Sequence, residues 1–159
     1  MPNPIINGRV VLSGFVPSPV EYTTTGAQTV SSTFWGRART AVVESIGGGG
    51  AGSTGGGSGD GGAGGGGAYS KTTYSLAGLS ALYLDIAASV AANTDGQDTT
   101  VRENTVAGTI ICLAKGGLRG RLDGAGVGTG GQAAAGTGDT KFSGGTGFAD
   151  NNGGGGSAA

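Results

Sequence analysis

The chain's 159 residues hold 39 glycines, a single cysteine, no histidine and a nearly balanced charge, nine Lys and Arg against ten Asp and Glu for a net −1. Electrostatic binding of nucleic acid needs a basic face, and Arg37/Arg39 and Arg119/Arg121 are too sparse to make one. The missing histidine removes Ser-His-Asp and Cys-His catalysis and histidine-ligated zinc, and aromatics at 6% leave little for a large core. Small cores usually need association or another staple, so a homo-oligomer or a place in a larger assembly is expected.

Residues 1–20 read as an extended N-terminal arm. Pro2, Pro4, Pro17 and Pro19 disfavour helix and push the residues before them towards extended backbone. Arg9-Val10-Val11-Leu12 fits an edge strand, on this chain or on a partner, and Ile5, Ile6, Val10, Val11, Leu12 and Phe15 are the candidate assembly contacts. The arm has neither the charged start nor the continuous apolar run of a secretion signal, and no stretch has the ~18 apolar residues of a membrane span, so membrane insertion is not expected.

Residues 21–159 read as one glycine-rich β domain. β-Branched residues gather in Thr29-Val30-Ser31-Ser32-Thr33-Phe34 and in Thr40-Ala41-Val42-Val43-Glu44-Ser45-Ile46, with Gly36 between them as the turn of a hairpin. The second strand runs directly into residues 47–67, which hold fifteen glycines in twenty-one positions. Flexible linkers have such composition. An ordered tract faces a cost of about 0.5–1 kcal/mol per glycine relative to alanine, so its backbone must be satisfied by something repetitive. Three-residue-per-turn extended helices make no internal hydrogen bonds, and side by side, with no Cβ between them, they can pair N–H with C=O laterally. At about 3.1 Å per residue the tract would span roughly 65 Å unbroken, or about half that folded back once.

Beyond the tract, Ala68-Tyr69-Ser70-Lys71-Thr72-Thr73-Tyr74 has strand composition. Residues 78–92 fit two patterns. Leu76, Leu79, Leu82 and Ile86 suit a helix, but Leu82, Leu84 and Ile86 alternate with Tyr83 and Asp85, and strand is preferred with Ala77-Gly78 as the preceding turn. Residues 93–98 form a polar loop in which Asp95-Gly96 has turn chemistry. A strand is expected over 106–114, with Cys112 a buried thiol acting as a small hydrophobe. Glycine then returns over 116–159.

Recognisable chemistry is scarce. No Gly-Lys-Ser/Thr follows a glycine loop, and the spacing of Gly126-Val127-Gly128-Thr129-Gly130-Gly131 arises by chance in sequence this rich in glycine. Asp60 departs by one place from the calcium-binding nonapeptide and its unit does not recur, which leaves a turn aspartate. Asp95 and Asp98 suit a small glycosidase or calcium-dependent lectin only weakly. No cofactor and no enzymatic activity are expected. Most aromatics read as core; Phe142 and Phe148, each flanked by glycine, read as loop-tip contacts or as caps on a glycine array.

The order of parts resembles the glycine-rich domains of bacteriophage tail-fibre and tail-tip proteins. The resemblance is carried by Glu21-Tyr22-Thr23-Thr24-Thr25-Gly26, by Phe34-Trp35, and by Ala41-Val42-Val43-Glu44-Ser45-Ile46 running into Gly47-Gly48-Gly49-Gly50. Gly64-Gly65-Gly66-Gly67-Ala68-Tyr69 looks like the return strand, and Gly144-Gly145-Thr146-Gly147 with Gly153-Gly154-Gly155-Gly156 looks like the closing tract. The stretch 87–104 is longer and richer in Ala, Thr and Asp than that pattern, and the 1–20 arm lies outside it.

The resemblance implies a mainly β fold in which small β-sandwich-like strands join packed polyglycine II-type helices. It implies a virion structural protein, receptor-binding or adhesin-like, assembled in the host cytoplasm and later extracellular. Its partners would be other virion proteins and a host cell-surface receptor, with Asp95, Gln97, Asp98, Phe142 and Phe148 the candidate receptor contacts. A capsid or tail decoration protein anchored by its arm is the alternative.

Overall fold

The computed structural model describes residues 10–11, 20–54, 61–121 and 126–148. Among these the chain is mainly β, with two antiparallel four-stranded sheets and almost no helix. The first sheet has the order β1-β3-β4-β8, from Val10–Val11, Thr40–Ile46, Tyr69–Ser75 and Thr140–Phe142. The second has the order β2-β5-β6-β7, from Gly26–Ser31, Ala81–Ile86, Thr99–Glu103 and Ile110–Ala114.

Alternation along the strands builds a core from both sheets. Ala41, Val43 and Ser45 of β3 are buried while the residues between them are less so, and Val43 joins Leu82, Leu84, Val101, Ile111 and Cys112 in one buried cluster. The Cys112 thiol lies 3.5 Å from the Ser70 carbonyl, and burial pushes its pKa up. On the first sheet's other side Lys71 pairs with Glu44 at 3.1 Å, directly across the β3-β4 ladder.

The expected hairpin between β2 and β3 does not form. β2 pairs with β5, whereas β3 pairs with β1 and β4. The run ends as a strand at Ser31, and Ser32–Trp35 make one helical turn, α1, that buries Trp35 in the core. Gly36 follows at φ +54°, a left-handed conformation that side chains disfavour, and the chain crosses to the other sheet. The ambiguous stretch resolves as the strand β5, preceded by a turn at Ala77-Gly78. The last strand of the second sheet begins at Ile110, after a turn over 104–108, rather than at Val106.

Six further segments belong to neither sheet: I (47–54), II (61–68), III (93–98), IV (115–121), V (126–132) and VI (143–148). Each adjoins a strand or lies one short element from it, and together they form two layers of three joined by backbone hydrogen bonds of 2.8–3.3 Å. Segments I, II and VI prolong β3, β4 and β8 in the same order as in the sheet, and III and IV prolong β6 and β7. V lies beyond IV.

The bonds repeat every third residue. From segment I, Gly47, Gly50 and Ser53 donate to Ala68, Gly65 and Gly62 of II, and Gly48 and Ala51 donate to Gln97 and Thr94 of III. From II, Gly62, Gly65 and Ala68 donate to Arg121, Leu118 and Lys115 of IV, and Ala63 and Gly66 to Phe148 and Gly145 of VI. Gly117 and Gly120 of IV donate to Gly48 and Ala51; Gly128 and Gly131 of V donate to Ala63 and Gly66; Gly144 and Gly147 of VI donate to Gly131 and Gly128.

Such closeness leaves no room for side chains. A Cβ at Gly65 would overlap the Thr129 carbonyl, and one at Gly117 the Gly65 carbonyl. Neither glycine has positive φ, so both are required for approach rather than for unusual dihedrals. Gly96 is in the same position. It faces the Gly48 and Gly49 carbonyls within segment III, so Asp95-Gly96 is not the expected turn, which falls instead at Ala92-Asn93 with Asn93 at φ +63°.

Candidate functional site

The glycine-rich array has two ends. One meets the sheets at residues 47, 68, 98, 115 and 143; the other, the tip, collects the far ends of all six segments. At the tip the backbone bonds Ser53 to Gly62, Gly62 to Arg121, Arg121 to Gly126, and Ala63 to Phe148.

Side chains lock one corner of it. The Thr54 amide donates to Asn93 Oδ1 at 3.2 Å and Asn93 Nδ2 donates to Thr54 Oγ1 at 3.0 Å, a reciprocal pair that fits the left-handed backbone of Asn93. Arg119 Nη1 donates to the Asn93 carbonyl at 2.9 Å, and Ser53 Oγ donates to the Arg121 carbonyl at 3.0 Å. Phe148, on segment VI at the same tip, is 81% exposed, and Arg121 is exposed as well. An exposed ring and an exposed guanidinium at one end of a hydrogen-bonded base are suited to surface recognition.

The five candidate contact residues do not cluster. Segment III bonds only I and IV among the described segments, and VI only II and V, so Asp95, Gln97 and Asp98 lie on one edge of the array and Phe148 on the other. Phe142 lies at the sheet end, 62% exposed, with its ring stacked on Tyr69 at 5.9 Å between centroids.

The two aspartates have internal partners. Asp98 Oδ1 accepts the Gly116 N–H at 2.9 Å and its other oxygen pairs with Lys115; Asp95 Oδ1 accepts the Arg119 N–H at 2.9 Å. Spaced three residues apart, these carboxylates act where the array would otherwise offer backbone carbonyls.

Of the assembly candidates, Val10 and Val11 form β1, paired with Val43 and Val42 of this same chain at the sheet's edge. Ile5, Ile6, Leu12 and Phe15 lie outside the described residues, as do Asp60 and the tract beyond Phe148.

Sequence reasoning missed Ser53, Thr54, Asn93 and Arg121. The signal was available in the first tract, since a chain folded back once puts the residues near its middle at the far end.

A separate cleft of about 480 Å³ opens between the sheets beside β3, with Glu21, Tyr22, Glu44, Tyr69 and Thr100 among its walls. Asp95 and Asp98 do not line it. Among the described residues no three His, Cys, Asp or Glu side chains are grouped as metal ligands, and no helix is long and apolar enough to cross a membrane. Comparison with protein-family models, with curated proteins and with solved structures finds no match to the chain.

Proposed function

We propose that the chain is a non-enzymatic structural protein of a bacteriophage particle, a tail-fibre or tail-tip component that holds a receptor-contacting surface at the end of a polyglycine II-type array. The observation that carries this reading is the three-residue repeat of the lateral bonds. In an extended helix of three residues per turn, successive amides point about 120° apart, so each segment serves different neighbours in turn. A β-strand, with its period of two, cannot do this.

On this reading the two sheets pack as a small sandwich, and the array continues both of its layers. Eight residues at about 3.1 Å each carry the tip roughly 25 Å from the sheets. Bonding in several directions makes that spacer stiff, which suits a part that must present a surface to a cell. Its partners would be other virion proteins, further copies of itself and a host surface receptor.

The test is binding of the labelled chain to bacteria that the parent phage infects. Saturable binding that competes with infection, and that weakens when Phe148→Ala and Arg121→Ala are combined, is expected. Absence of binding and of competition would remove the receptor role. The decoration reading would then stand, favoured by the place of Val10–Val11 as the outermost described strand of their sheet, where a neighbouring chain can add.

A further inference from the structure

The cleft between the sheets lies where three strands meet the glycine array. Ile46, Tyr69 and Thr99 in its walls each stand one residue from segments I, II and III. The backbone bonds from Gly47 to Ala68 and from Gly48 to Gln97 tie those three strand ends together.

Aromatic faces, acceptors and hydroxyls meet in this cleft. Tyr22 and Tyr69 are half-buried. Burial pushes the pKa of both phenols up and the Glu44 carboxylate adds to the rise at Tyr69, so each keeps a proton to donate. Glu21 and Glu44 supply acceptors. Thr99 Oγ1 accepts the Ala87 N–H at 3.1 Å, which leaves its own proton for another acceptor. Lys71 balances Glu44 at 3.1 Å, and none of the described wall residues is a Lys or Arg. Such walls suit a neutral ligand rich in hydroxyls better than an anion.

Two of the wall residues also belong to a row on the surface of the first sheet. Ile46, Tyr69 and Phe142 are direct partners across β3, β4 and β8, which places them on one face. The Tyr69 and Phe142 rings stack, and Ile46 and Phe142 are 52% and 62% exposed.

We propose that the cleft binds a saccharide, with one or two sugar rings inside it and a further ring on the row of Tyr69 and Phe142. A pyranose carries hydroxyls around its edge for the carboxylates, the phenols and Thr99. Its C–H face suits the electron-rich faces of the aromatic rings. A volume of about 480 Å³ falls within the roughly 300–1,000 Å³ of small-molecule sites. The inference is independent of the polyglycine II reading and of the virion role, and it concerns the opposite end of the array from the tip.

The experiment is an NMR titration of the full-length chain with maltose, cellobiose and diacetylchitobiose, and with the corresponding trisaccharides, each to tens of millimolar. Saturable shifts at the amides of Glu44, Tyr69 and Thr99 are expected for at least one series, with the trisaccharide bound more tightly than its disaccharide. Glu21→Ala removes an exposed carboxylate and should weaken binding about tenfold. Phe142→Ala should weaken the trisaccharide about three- to tenfold and leave the disaccharide unchanged. Full affinity in both variants would overturn the assignment, as would the absence of shifts with all of the sugars. Shifts confined to Arg121 and Phe148 would overturn it in favour of the tip. Tetramethylammonium chloride is the remaining probe: shifts at the cleft with it and with no sugar would replace the saccharide by a cation held against the tyrosines.

Discussion

The sheets and the glycine array are continuous in the chain and opposite in the way they hold together. In the sheets, side chains define the structure: Val43, Leu82, Val101 and Ile111 fill one interior, and the backbone ladders run between neighbours in two directions. In the array the backbone itself is the interior, and segment II is bonded to four neighbouring segments with almost no side chain to assist. A sheet tolerates exchange of one apolar residue for another at modest cost. The array tolerates nothing where two backbones touch, and that is the difference the following substitutions probe.

The largest effect belongs to Gly65→Ala. Its methyl would overlap the Thr129 carbonyl and displace segment V, which takes part in six lateral bonds: Leu118 to Thr129, Arg121 to Gly126, Gly128 to Ala63, Gly131 to Gly66, Gly144 to Gly131 and Gly147 to Gly128. At about 0.5–1.5 kcal/mol per bond, roughly 3–9 kcal/mol is at risk, read as a fall in the urea midpoint. Loss of less than about 1 kcal/mol would mean that the array yields as a loop does.

Asp98→Ala is expected to be milder. It removes the acceptor of the Gly116 amide together with the Lys115 partner, a charge-assisted pair of bonds whose loss costs about 1.5–3 kcal/mol. Asp98→Asn keeps an acceptor and should recover part of this in the same denaturation measurement. Equal loss in both variants would show that charge, rather than acceptance of the Gly116 amide, is what segment III supplies.

Gly145→Ala is the control, at under about 0.5 kcal/mol. A Cβ there meets nothing within 4 Å, on the open side of segment VI, and its φ is not positive. A large loss at Gly145 would mean that this edge is covered by something more.

Much of the fold could be read from residue order. Strand composition located β3, β4 and β5, and the period-two alternation of Leu82, Leu84 and Ile86 correctly outweighed their helical spacing. Strand entry into a glycine tract and strand exit from it implied a tract folded back on itself, which segments I and II form. Pairing was less legible. β2 and β3 look like a hairpin locally, but burial of Trp35 and the left-handed Gly36 separate them, and neither is visible without the core that Trp35 enters. The roles of Asp95 and Asp98 were hidden for a similar reason. Their three-residue spacing has meaning only beside the amides of Gly116 and Arg119, which arrive from a distant part of the chain. The tip was obscured by composition, since Thr54 and Asn93 are ordinary loop residues until thirty-nine positions of chain bring them together.

The central claim is that the backbone of segment II serves its neighbours with a period of three. Couplings transmitted across hydrogen bonds, measured by NMR between amide nitrogens and carbonyl carbons, read that directly. The amides of Gly62, Gly65 and Ala68 should couple to the carbonyls of Arg121, Leu118 and Lys115, and those of Ala63 and Gly66 to Phe148 and Gly145. Couplings that alternate with a period of two between a fixed pair of neighbours, as in a β-ladder, would contradict it.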